Sequence, residues 1–232
     1  MKLQRSLHSS RPFKYAWITI WLYALLTVQG ARAESCEIVI SPCSIEGCDF
    51  SRKVAVTIPV QEEGNAPYDR HEFLKLTGGR WDDQDRDCQD TRAEVLEATS
   101  LIPVVYSSGG CRVEMGLWYD PYSGSMFESA RDLDIDHFVP VKEAHESGAS
   151  AWEPVERARF ANSYRLSANL IPVWNSLNRS KGAKEPTEWL PPNDDYLCEY
   201  INRWAYVKWF TSLSVDQAEC SEIKRRLNDC LD

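Results

Sequence analysis

Eight cysteines, at positions 36, 43, 48, 88, 111, 198, 220 and 230, limit this 232-residue chain more than any other feature. An even number, all beyond residue 33, fits up to four disulfides formed in an oxidising compartment. Zinc is the weaker alternative. Cys43 and Cys48 are separated by four residues, but no second close pair of Cys or His completes a tetrahedral ligand set.

The segment ahead of the first cysteine reads as an export signal. Lys2, Arg5, Arg11 and Lys14 make a basic start, Tyr15 to Val28 is apolar, and Ala31-Arg32-Ala33 offers the small-x-small pattern of a cleavage site. The apolar run falls short of the roughly 20 residues of a spanning helix. Residues 1–33 are therefore expected to be a signal peptide. The mature chain is expected to be secreted or periplasmic, with no membrane attachment. Residues 34–67, with three cysteines, read as a disulfide-pinned N-terminal extension, and residues 68–232 as the main domain. Residues 1–33 carry five basic and no acidic side chains, so their loss takes the net charge from -9 to -14. A partner such as nucleic acid would then have to be met by a local basic patch and a bound cation.

The pattern along the chain is mixed α+β. Val54 to Val60 is a β-branched strand. A helix is expected from Thr91 to Ala98, with Asp90 as its N-cap. Leu101 to Tyr106 and Arg112 to Tyr119 flank Gly109-Gly110 as a hairpin, and residues 120–124 form a turn. Beyond these, the order is a strand over 133–141, a helix over 153–164, a strand over 170–174 and a helix opening at Asn175. Helical stretches over 196–210 and 215–227 follow the prolines 186, 191 and 192.

Past residue 33 the chain has only three histidines, 71, 137 and 145, which excludes a multi-histidine metal centre. His137 directly follows Asp136, and Asp134 lies two residues before that. In a regular strand the two aspartates share a face and His137 points the other way, so the tripeptide alone reads as a polar strand end. Its downstream context changes this. Asn169-Leu170-Ile171-Pro172 follows, and then Asn178-Arg179-Ser180-Lys181-Gly182. This ordered set resembles the HNH, or His-Me finger, endonucleases. Glu143-Ala144, Ser147-Gly148-Ala149, Phe160-Ala161-Asn162 and the run from Glu185 to Pro192 are similar to the secreted bacterial branch of that family. So are Asp90-Thr91-Arg92 with Glu94-Val95-Leu96, and Trp118 with Asp120-Pro121-Tyr122. The resemblance spans roughly residues 68–215, although 31 residues separate His137 from Asn169, more than in the smallest members.

The resemblance implies an α+β fold with a ββα-metal (His-Me finger) core, surrounding helices and stabilising disulfides. It implies a secreted endonuclease acting on DNA, with RNA as an open second substrate. His137 would be the general base. Asp136 and Asn178 would hold one divalent metal, magnesium by the hardness of its oxygen donors, with manganese or calcium as alternatives. Asn169 would support the catalytic hairpin by bonding its backbone, and Asp134 would be an additional site carboxylate. Arg179, Lys181 and Arg92 would contact substrate phosphates, whereas Arg157 and Arg159 read as a solvated helix face. Cys88 and Cys111, each bordering a family-like block, are expected to be bonded. A second reading is a non-catalytic, calcium-dependent binding module. It rests on Asp83, Asp85, Asp87 and Glu94, spaced as in a calcium loop, but Cys88 stands where that loop needs glycine. Asn178-Arg179-Ser180 is also the only N-glycosylation sequon, and a glycan there would destroy the expected metal ligand; either the source is bacterial and meets no glycosylation machinery, which is favoured, or the folded site hides the sequon.

Overall fold

The computed structural model describes residues 34–163 and 168–230. The expected signal peptide lies outside them, as does Arg165, which the sequence groups with Arg157, Arg159, Arg179, Lys181 and Lys184 as a basic patch. Among the described residues no helix is long and apolar enough to cross a membrane. All cysteines are bonded, as Cys36–Cys220, Cys43–Cys48, Cys88–Cys111 and Cys198–Cys230.

The N-terminal segment is built into the body of the protein. Strand β1 (Ser35–Ile40) alternates exposed and buried residues and pairs antiparallel with β4 (Val54–Pro59), Cys36 opposite Ile58. A small hairpin, β2 (Cys43–Ser44) and β3 (Gly47–Cys48), lies between them. The inward face of Ile38, Ile40, Val56 and Ile58 joins the main core with Tyr200, Ile201 and Trp204 of a long helix, α6 (Leu197–Phe210). Asn202 of that helix closes two bonds on Ser41, from the Ser41 N–H (2.7 Å) and to its carbonyl (2.9 Å). Cys36 is further tied to the last helix, α7 (Gln217–Asp229).

The central part is largely as the sequence implies. After the short α1 (Arg70–Phe73), helix α2 covers Thr91–Thr99, and the Asp90 side chain accepts from the Ala93 N–H. The sheet that follows has the order β5-β6-β7: Val105–Tyr106, Val113–Asp120 and Ser125–Ser129. The expected strand from Leu101 shrinks to two residues because Leu101 instead bonds the Leu117 carbonyl through its N–H. Gly116 allows that close approach; a Cβ there would lie 2.6 Å from the Trp118 ring and 2.7 Å from Ser100 Oγ.

The site rests on the next elements. Strand β8 (Leu133–His137) pairs antiparallel with β9 (Leu170–Trp174), with Asp136 opposite Ile171 and His137 opposite Leu170. Helix α5 (Asn175–Lys181) follows β9 without a break. Between the strands lie α3 (Val141–Glu146) and α4 (Pro154–Asn162), the latter opened by a Glu153/Glu156 capping box. The strand expected over 133–141 stops at His137 because Pro140 has no N–H to continue a ladder and α3 begins directly after it.

Candidate active site

The two strands and α5 line up their polar residues in register. Asp134 and Asp136 share one face of β8, as a period of two requires, and Asn178 and Lys181 share one face of α5, as a spacing of three allows. Asn178 Nδ2 donates to Asp134 Oδ2 at 3.2 Å, and Lys181 Nζ donates to Asp136 at 2.7 and 3.0 Å. Asp136, His137 and Asn178 all line one cavity of about 370 Å3. Since β8 ends at His137, side chains from both faces of the strand reach it.

The His137 ring is held on three sides. Trp81 stacks on it at 5.3 Å and 15°, and Phe160 lies beyond at 6.4 Å and 14°. Its Nε2 meets the Ala161 carbonyl of α4 at 2.9 Å. A carbonyl only accepts, so Nε2 carries the proton and Nδ1 keeps its lone pair. Burial, reinforced by the nearby Arg70 charge, pushes the imidazolium down to about 3, so the ring is neutral at physiological pH. Asn169 is fully buried: its Oδ1 accepts from the Val139 N–H at 2.9 Å and its backbone carbonyl from Phe138 at 2.7 Å. It thus fixes the chain where β8 ends, away from the cavity.

Asp136 is buried and anchored. Besides Lys181, its Oδ2 accepts from Tyr122 Oη at 2.7 Å. Burial pushes the carboxyl up and the Lys181 ammonium down, and their mutual attraction opposes both shifts. A carboxylate has about four acceptor positions, of which these bonds use three, leaving one on Oδ1. The Asn178 amide gives its nitrogen to Asp134, which leaves its oxygen as an acceptor without a partner among the described residues. Two hard oxygen donors on one cavity suit a divalent cation of the magnesium or calcium kind. The residues therefore fit such an ion, although Lys181 and Arg70 leave the surroundings with little net negative charge.

Two expected phosphate contacts need correction. Lys181 has no exposed side-chain surface and spends its three donors on both Asp136 oxygens and the His137 carbonyl (3.0 Å), so it cannot reach a substrate. Arg92 is half-buried, and its Nη2 donates to the carbonyls of Ala130 (2.8 Å) and Leu133 (2.9 Å), pinning the approach to β8. Arg179 remains available: its side chain is 73% exposed, with Nε 4.0 Å from Asp134. Arg157 is occupied by the Trp152 carbonyl.

Sequence reasoning missed Arg70, Arg80, Trp81, Tyr122 and Phe160. Tyr122 and Phe160 stand inside family-like blocks and could have been found there, whereas Trp81 was submerged in the acidic run after it. That run does gather the carboxylates of Asp83, Asp85 and Asp87 within 4.8 Å of one another. They accept, however, from the loop's own backbone, at Cys88, Asp87 and Gln89 respectively, which accounts for them as turn-forming residues.

Comparison with known proteins bears on the same region. Residues 90–223 match the family model of the C-terminal domain of GmrSD restriction endonucleases. An uncharacterized secreted protein of the fungus Arthroderma benhamiae is 40% identical over 126 residues, which is 54% of this chain and 61% of that protein. The chain thus spans less than two thirds of that relative. No solved structure matches. The family match covers more than half of the sequence and contains β8, β9 and α5, so the chain belongs to the family of GmrSD restriction endonuclease C-terminal domains.

Proposed function

We propose that this chain is a secreted, metal-dependent endonuclease of the HNH (His-Me finger) type that hydrolyses phosphodiester bonds in DNA, with RNA as a second substrate to be tested. One observation carries the reading: a neutral histidine with one nitrogen fixed and the other without a partner among the described residues shares a cavity with two oxygen donors suited to a cation. The restriction-endonuclease family and the four disulfides support it. A bacterial origin remains part of the proposal, although the relative above is fungal.

In this mechanism His137 Nδ1 accepts a proton from the attacking water, while the Ala161 carbonyl holds the ring so that it cannot turn away. The negative charge of the bound phosphate raises the basicity of a ring that is otherwise hard to protonate. Water oxygen bonds to phosphorus as the bond to the leaving sugar oxygen breaks. Asp136 and Asn178 would hold the ion, which when bound polarises the phosphate and offsets charge on the leaving oxygen. Tyr122 and Lys181 keep Asp136 ionised and aimed. Arg179 contacts the phosphate backbone from the exposed side of α5.

Plasmid and RNA cleavage by the mature chain, with magnesium, manganese or calcium and with chelator, tests this. His137→Ala should lower the rate by about 10²–10⁴-fold while leaving the fold intact. Asn178→Ala should also fail but recover in part with excess metal. His145 touches the Ala66 carbonyl (3.2 Å) and Tyr68, so His145→Ala serves as the control. A fully active His137→Ala protein would refute the mechanism.

A further inference from the structure

The His137 ring forms part of the wall of two cavities. Beyond the larger one lies a second, of about 100 Å3, lined chiefly by Arg70, Arg80, Trp81, His137, Ala161 and Asn162. Arg70 borders both. Among the described residues no carboxylate lines the smaller cavity, an unusual absence in a chain with 35 acidic residues against 26 basic ones. Arg80 is exposed, and among the described residues its guanidinium has no hydrogen-bond or ion-pair partner.

The walls are built rather than incidental. Asn162, 3% exposed, accepts from the Asp82 N–H (3.0 Å) and donates to the Ala158 carbonyl (3.0 Å), so it fastens the Trp81–Asp82 segment to α4. Gly79, with φ +76°, turns the chain between Leu74 and Arg80 in a conformation that a side chain would strain. The volume is that of roughly three waters, the scale of one phosphate group rather than of a base.

We infer that the Arg70/Arg80 cavity is a second phosphate subsite, holding the phosphate next to the scissile one along a nucleic-acid strand. Arg70 lies between the two phosphates and Arg80 serves the outer one, each offering the planar fork of donors that suits a phosphate. The substrate class is thereby narrowed to a strand with at least two consecutive phosphates, in preference to an isolated diester. This rests on the nuclease reading above and extends it.

The test compares wild type with Arg80→Gln, an exposed position where folding is not at stake. The substrates are a single-stranded oligonucleotide and bis(4-nitrophenyl) phosphate, which has one phosphate. Arg80→Gln should raise KM at least about tenfold more for the oligonucleotide than for the small diester. In chelator, oligonucleotide binding by fluorescence anisotropy should lose about 0.7 from the slope of log K against log salt. Equal losses on both substrates would place Arg80 at the scissile phosphate and overturn the subsite, as would an unchanged KM and salt slope. If wild type cleaves neither substrate, the nuclease reading fails, and the salt slope alone decides the subsite.

Discussion

A single neutral ring sits at the centre of the candidate site, and its burial has a cost that can be measured. His137 takes a proton in the unfolded chain near the ordinary value of about 6.5 but only near 3 in the folded protein. Between those values the unfolded state binds the extra proton, so stability falls as pH drops through that window. Glu185 and Glu219, both pushed up to about 7 by burial, act in the opposite sense as pH falls from 7 toward their ordinary values. Comparing variants isolates the histidine. His137→Gln should lose less thermal stability than wild type between pH 7 and pH 4. Parallel melting curves across that range would mean the ring is not buried as described.

At the scale of elements, strand β8 and helix α5 are joined by a buried ion pair. Lys181→Met would strand the Asp136 charge in a site 5% exposed, so destabilisation of about 3–5 kcal/mol is expected. A thermal melt close to wild type, with only KM altered, would instead restore Lys181 to the substrate. The sequence motif placed Lys181 beside Asp136 and His137, and it is there, but motif spacing carries no information on which way a helix faces. Burial decided the role. Strand β9 and the N-cap of α2 were legible because Leu170 to Trp174 is bounded by polar residues and Asp90 precedes a helical run. Strand β1 was hidden, since its apolar run, Ile38-Val39-Ile40, is only three residues long and shows no alternation of polar and apolar side chains. Arg70 and Arg80 could not be read at all. They come to line a cavity with His137 through tertiary packing across more than fifty positions, and nothing in their local sequence points there.

For the whole molecule, the segment that read as a pinned extension is part of the core, with Ile40 and Ile58 fully enclosed beside Trp204 and Val60 bridging to Val215. Cross-links reinforce this arrangement. Closing the 184-residue span of Cys36–Cys220 contributes on the order of 5 kcal/mol in the chain-entropy view. The boundaries drawn by the family match have an unexpected meaning against this wiring. The stretch 90–223 holds Cys111, Cys198 and Cys220, and each of the three is bonded to a cysteine outside it: Cys88, Cys230 and Cys36. Transplanted as a module, that stretch would carry three orphan thiols and would leave behind Arg70, Arg80 and Trp81. Expressed alone, it should show free thiols by alkylation and no cooperative melt, whereas residues 34–232 should show neither defect. The stretch that matches the family is thus held to its flanks by three covalent seams, so in this chain the family boundary is no place to cut.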